Sequence, residues 1–140
     1  MPLRMTGILS LLILCIAGCN RDSNYKMKTA PVTGILTCKG TPVSGVQVIF
    51  SPHAKEGSSS NSGKAAMGST DENGRFTLST YQLNDGAVIG THTVSFAIDY
   101  NPDSPDQQKQ SEKQMVPCLK ETLEVDVVPA MESLTLELGK

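Results

Sequence analysis

From Pro31 onward the chain alternates apolar and polar residues with a period of two. Val32, Gly34, Leu36 and Cys38 alternate with Thr33, Ile35 and Thr37; Val46, Val48 and Phe50 alternate with Gln47 and Ile49. The pattern returns at Phe76, Leu78 and Thr80, and at Val94, Phe96, Ile98 and Tyr100. It closes with Leu123, Val125 and Val127, then Leu134, Leu136 and Leu138. Successive side chains of a strand point to opposite faces, so this spacing buries one face and wets the other, as in antiparallel sheets. Met67-Gly68-Ser69-Thr70, before the Asp71-Glu72-Asn73-Gly74 turn, supplies a seventh strand. No stretch after residue 19 sustains a helical period, so the expected fold is an all-β, antiparallel β-sandwich of seven strands. All three Phe fall on the inward faces, and Tyr100 is expected to pack in the core.

The turns between these runs carry matching chemistry. Lys39-Gly40-Thr41-Pro42-Val43-Ser44-Gly45 links the first two strands. In the turn at residues 71–74, Asp71 can bond its own backbone while Asn73 or Gly74 takes positive φ. Two connections are longer. Ser51 to Ala66 is rich in Ser and Gly, and Asn101 to Pro117 in Pro, Gln and charge. Structureless loops beyond about 12–15 residues are uncommon in compact domains and are functional or disordered. Composition favours a disordered first loop; for the second, disorder and binding weigh equally.

The N-terminus is of a different kind. Arg4 precedes the apolar run Ile8 to Ala17, which has the n-region and h-region pattern of a secretory signal. Crossing a bilayer takes about 20 apolar residues, so the run is too short for a comfortable span. Ile16-Ala17-Gly18-Cys19 then resembles the bacterial lipobox, an aliphatic residue and two small ones before a cysteine. Small residues let an extended chain enter a peptidase groove, and the thiol is the soft nucleophile that takes a diacylglyceryl group. The resemblance implies lipidation at Cys19 and cleavage behind Gly18; an ordinary secretory signal cut nearby is the alternative. Residues 1–18 are therefore expected to be a cleaved signal helix, residues 19–30 a lipidated tether, and residues 31–140 the domain. Two or three acyl chains hold a protein stably where one would not. Arg21, Lys26 and Lys28 make the tether slightly basic, as suits anionic head groups, although a plain solvated spacer reads equally well.

Charge and composition exclude further classes. The net charge of −2 becomes −3 without Arg4, and no basic patch marks a nucleic-acid binder. Neither His53 nor His92 has metal-ligand spacing to another ligand. His92 reads as a satisfied histidine at a sheet edge. Gly-x-Ser-x-Gly elbows, Walker loops, dinucleotide fingerprints and calcium loops are absent from the sequence. The expectation is a protein with no catalytic residues, no metal and no cofactor. Cys15 falls in the discarded segment. Cys38 and Cys118 remain, and in an oxidising compartment two leftover cysteines are candidates to pair. Two buried thiols held more than about 7 Å apart at Cα are the alternative.

Three segments resemble carboxypeptidase regulatory-like domains, which are transthyretin-like sandwiches of about seven strands. They are Val32-Thr33-Gly34-Ile35-Leu36-Thr37 with Gly40 to Phe50, then Thr70-Asp71-Glu72-Asn73-Gly74-Arg75-Phe76-Thr77-Leu78, then Asp85-Gly86-Ala87-Val88-Ile89-Gly90-Thr91-His92-Thr93-Val94. The resemblance covers residues 31 to 100 and thins beyond them. It makes Asp71, Asn73 and Gly74 a family-signature turn, and it implies a non-catalytic module on a small bacterial lipoprotein. Such a protein would be exported and anchored to a bacterial membrane by its N-terminal lipid, facing the periplasm or cell surface. Its partner would be a protein or a glycan. Alternatives are a structural spacer of the envelope, or an accessory subunit of an envelope enzyme or transporter. Tyr81, Leu83 and Tyr100 are the candidates for an exposed binding patch.

Overall fold

A computed structural model describes residues 26–54, 62–100, 102–115, 117–118 and 120–140. Residues 1–18, expected to be a signal, Cys19 and residues 55–61 of the first long connection lie outside the described residues. Ten strands and one helix follow in chain order: β1 (Thr29–Ala30), β2 (Thr33–Cys38), β3 (Thr41–Pro42), β4 (Val46–Pro52), β5 (Ala66–Ser69), β6 (Arg75–Thr77), β7 (Ala87–Val88), β8 (Gly90–Ile98), α1 (Pro105–Met115), β9 (Leu123–Val127) and β10 (Leu134–Leu138). The fold is all-β, as its periodicity implies. Seven of these strands have three residues or more: six fall on the six alternating segments, and β5 falls on Met67-Gly68-Ser69-Thr70.

One four-stranded sheet runs β5-β4-β8-β9, and a second places β10 and β3 beside β2, with β6 also paired to β2. β1 and β7 form a separate antiparallel pair. Between the two larger sheets lie Leu36, Val46, Val48, Phe50, Leu78 and Val94, all fully buried. Phe76 and Phe96 join them, so all three Phe rings lie in the core. Burying one such side chain contributes about 1.5–3 kcal/mol relative to leaving it in water. Met67 and Ser79 exchange two backbone hydrogen bonds, of 3.0 and 2.9 Å, and so join the edge of one sheet to the other.

Three expectations are corrected. The connection from Asn101 to Pro117 is not structureless, because α1 occupies most of it. Its mean composition is polar and only Ser111 and Met115 are buried, so it lacks the apolar stripe by which helices are usually read. The local signals are nonetheless there: Ser104 at the N-cap, Pro105 in the first turn, Asp106 beside it and Lys113 in the last turn. The sheets are not wholly antiparallel either. β10 runs parallel to β2, from Leu134 opposite Gly34 to Leu138 opposite Cys38. The chain leaves β9 in one sheet and crosses to the other, where it enters in the sense of β2. Tyr100, finally, is 74 % exposed, because β8 has already ended at Ile98.

Candidate functional site

The strands give the sandwich two ends. At one end lie the start of β8, the start of β2, and the chain entering from Lys26. At the other lie the ends of both strands, the turn at residues 71–74, and α1.

The entry end is built on Asp85. Its carboxylate accepts backbone N–H donations from Thr80 at 2.6 Å and from Tyr81 and Gln82 at 3.0 Å each. Partial burial pushes the carboxyl pKa up, but these donations outweigh it and hold Asp85 below its ordinary value. The next residue, Gly86, has φ of 83°, and a Cβ there would overlap the Ala30 carbonyl oxygen. The turn from Thr80 to Gly86 is thereby pressed against the first strand. Tyr81 is half-buried and its hydroxyl accepts the Met27 N–H at 3.1 Å, so the chain is tied to this turn where it joins the domain. Leu83, two residues further on, is 86 % exposed, the most exposed large apolar side chain among the described residues. Beside this turn a groove of about 230 Å³ is lined by Met27, Pro52, His53, Val88, Ile89 and Thr91 among others.

The opposite end holds the turn at residues 71–74, with Asp71, Asn73 and Gly74, and the cysteine pair. Asp71 Oδ1 accepts the N–H of Asn73 at 2.8 Å and of Arg75 at 2.9 Å. Gly74, at φ of 73°, donates to the Asp71 carbonyl, and its own carbonyl accepts the Leu36 N–H at 2.8 Å. These residues shape a turn and anchor it to β2. Cys38 and Cys118 are joined by a disulfide with Cα atoms 6.2 Å apart, fastening the segment after α1 to the end of β2. Glu121 accepts the Gly139 N–H through both carboxylate oxygens, at 2.9 and 3.1 Å, which ties the same segment to the end of β10. A polar pocket of about 160 Å³ between α1 and the sheet is lined by Gly45, Thr70, Asp99, Gln107, Gln108 and Ser111. Sequence reasoning missed this pocket together with the helix. Ser104-Pro105-Asp106-Gln107, a helix-start pattern with Gln at the third helical position, is the signal that finds both.

The candidate patch residues are therefore not brought together. Tyr81 and Leu83 stand at the entry end and Tyr100 at the far one. The histidines are also apart in role. His53 is exposed, with Nε2 2.7 Å from Thr93 Oγ1. His92 is not at a sheet edge, because β4 and β9 flank β8 on both sides. It is fully buried against Phe50, with Nε2 2.6 Å from the Val88 carbonyl and Nδ1 without a partner. Among the described residues, no three His, Cys, Asp or Glu side chains gather as a metal site.

No family model, curated protein or solved structure matches this chain. The geometry is thus that of a β domain with a rigid, apolar-tipped turn at the end where the chain enters. At its other end are a polar pocket and an exposed tyrosine.

Proposed function

We propose that this chain is a lipid-anchored envelope protein whose β-sandwich acts as a non-catalytic binding module for a protein or glycan partner. The observation that carries the reading is Cys19 behind Ile16-Ala17-Gly18, directly after an apolar run with the length and flank of an export signal. The Cys38–Cys118 disulfide supports it, since such bridges persist in oxidising compartments outside the cytosol. An all-β fold with seven strands of three residues or more supports the reading of a carboxypeptidase regulatory-like, transthyretin-like domain beyond the tether. On this reading the chain displays a small, stapled domain at a membrane surface, and recognition belongs to its loops and turns.

A second reading, a structural spacer of the envelope, is favoured by one observation: Leu83 and Tyr100 lie at opposite ends rather than in one patch. Two experiments test these readings. Mass spectrometry of the N-terminal peptide is expected to show a diacylglyceryl adduct on Cys19, lost in Cys19→Ser; an unmodified cysteine would refute the anchor. Cross-linking in the intact envelope is expected to capture a reproducible partner through the loop ends. Reproducible absence of one would favour the spacer.

A further inference from the structure

We propose that the turn from Thr80 to Gly86 is a membrane-contact element, with Leu83 dipping into the lipid interface while Lys26 and Lys28 meet anionic head groups. The inference rests on the reading of Cys19 as the lipidated residue and names the surface that faces the bilayer.

The first argument is reach. Eight peptide units separate Cys19 from Met27, and a fully extended chain of that length spans at most about 29 Å. Met27 is fixed by the Tyr81 hydroxyl, and the Lys28 carbonyl accepts the Ile89 N–H at 3.1 Å, so the tether ends here and runs no further. β8 begins one residue beyond Ile89 and its nine residues rise about 27 Å toward Tyr100. Bringing the Tyr100 end to the bilayer would pull the tether taut along the whole sandwich, at a large cost in chain entropy. A relaxed tether leaves the entry end lowermost.

The second argument is what that end presents. A single exposed leucine is ordinary on a protein surface. This one sits at the tip of a turn held by three N–H donations to Asp85 and by Gly86 against Ala30, within two residues of the tether's anchorage. The turn is thus stiff, and its apolar tip is ordered before it meets lipid. Lys26 and Lys28, both exposed, flank the anchorage. The Asp85 carboxylate, partly open to water, accepts the three N–H groups. An apolar tip beside basic residues is the composition of an interfacial contact with an anionic leaflet.

The test uses the lipidated full-length chain in phosphatidylcholine vesicles containing about 30 % phosphatidylglycerol. Leu83→Cys and Tyr100→Cys variants carry an environment-sensitive fluorophore, and lipids bearing a quencher at the head-group boundary report contact. Quenching is expected to be about fivefold stronger at position 83, where a tip buried by roughly 5–10 Å would meet the quencher. Replacing Lys26 and Lys28 by Gln is expected to cut the contact population about fivefold per site. Equal quenching at both positions, or stronger quenching at position 100, overturns the proposal. Vesicle flotation read on the same samples separates the two claims. Flotation without selective quenching refutes the contact element and leaves the anchor standing, whereas loss of flotation refutes the anchor and this inference with it.

Discussion

Replacing Asp85 by alanine removes one acceptor group from three backbone donors at once. The Thr80, Tyr81 and Gln82 N–H groups all point at that carboxylate, at 2.6, 3.0 and 3.0 Å. A hydrogen bond to a charged group contributes about 1.5–3 kcal/mol when both partners leave water. The turn is half open to solvent, so water replaces part of what is lost and the three contributions do not add. The expected cost of Asp85→Ala is about 2–3 kcal/mol, or a fall in Tm of roughly 10–20 °C for a domain this size. Asp85→Asn keeps one acceptor oxygen and should lie between the two. The pH dependence follows from the direction of the pKa shift. A carboxyl held below its ordinary value when folded stabilises the native state above its unfolded pKa of about 4, and loses that contribution as pH falls through the folded value. The stability gap between native chain and variant should therefore be constant above about pH 5 and close in the acid range below pH 4. The chain has no Trp, so urea unfolding is best followed by far-UV circular dichroism at pH 7 and pH 3. A gap under about 0.5 kcal/mol at pH 7, or one that does not narrow at pH 3, would refute the account of the turn.

Other expectations follow from single features. Gly86→Ala should cost more than 3 kcal/mol or abolish folding, since it adds strain at positive φ to an overlap with the Ala30 carbonyl; a folded variant with native Tm would contradict the close approach. Reducing the Cys38–Cys118 bridge, which closes a separation of 80 residues, should cost up to about 4.5 kcal/mol on the chain-entropy account, read as a drop in urea midpoint with reductant. Free-thiol titration of the unreduced protein should find neither cysteine, and two reactive groups would refute the bridge.

The strands were legible because their signal is local and repeated. Val46, Val48 and Phe50 face the core, and Gln47 and Ile49 between them, on the other face, do not need to be explained by anything distant. α1 was harder, because Ser111 and Met115 are its only buried residues and its remaining faces carry no periodic message. Its capping residues hold the information, spread over four positions that also read as a loop. The parallel pairing of β10 with β2 has no local signature at all. Leu134, Leu136 and Leu138 alternate identically whichever neighbour they take, so the partner is decided by the crossing between sheets. His92 shows the same limit: a strand's alternation tells which face a residue takes, and only the placement of β9 tells whether that strand has an open side. Leu83 and Tyr100 could be nominated from their apolar or aromatic character beside turns, but their separation depends on the whole sandwich.

The pairing of β10 with β2 also sets the order in which the molecule can be completed. Gly34 waits for Leu134, a hundred positions later in the chain. A polypeptide that emerges N-terminus first, as from a ribosome, presents β2 early, with one side of that strand lacking its mate until β10 has also emerged. Contacts this distant in sequence slow folding, and an unpaired strand side is open to neighbouring chains meanwhile. Completion of the fold is thus coupled to its final strand, and a chain from which Leu134–Leu138 is withheld would be a sandwich unable to close.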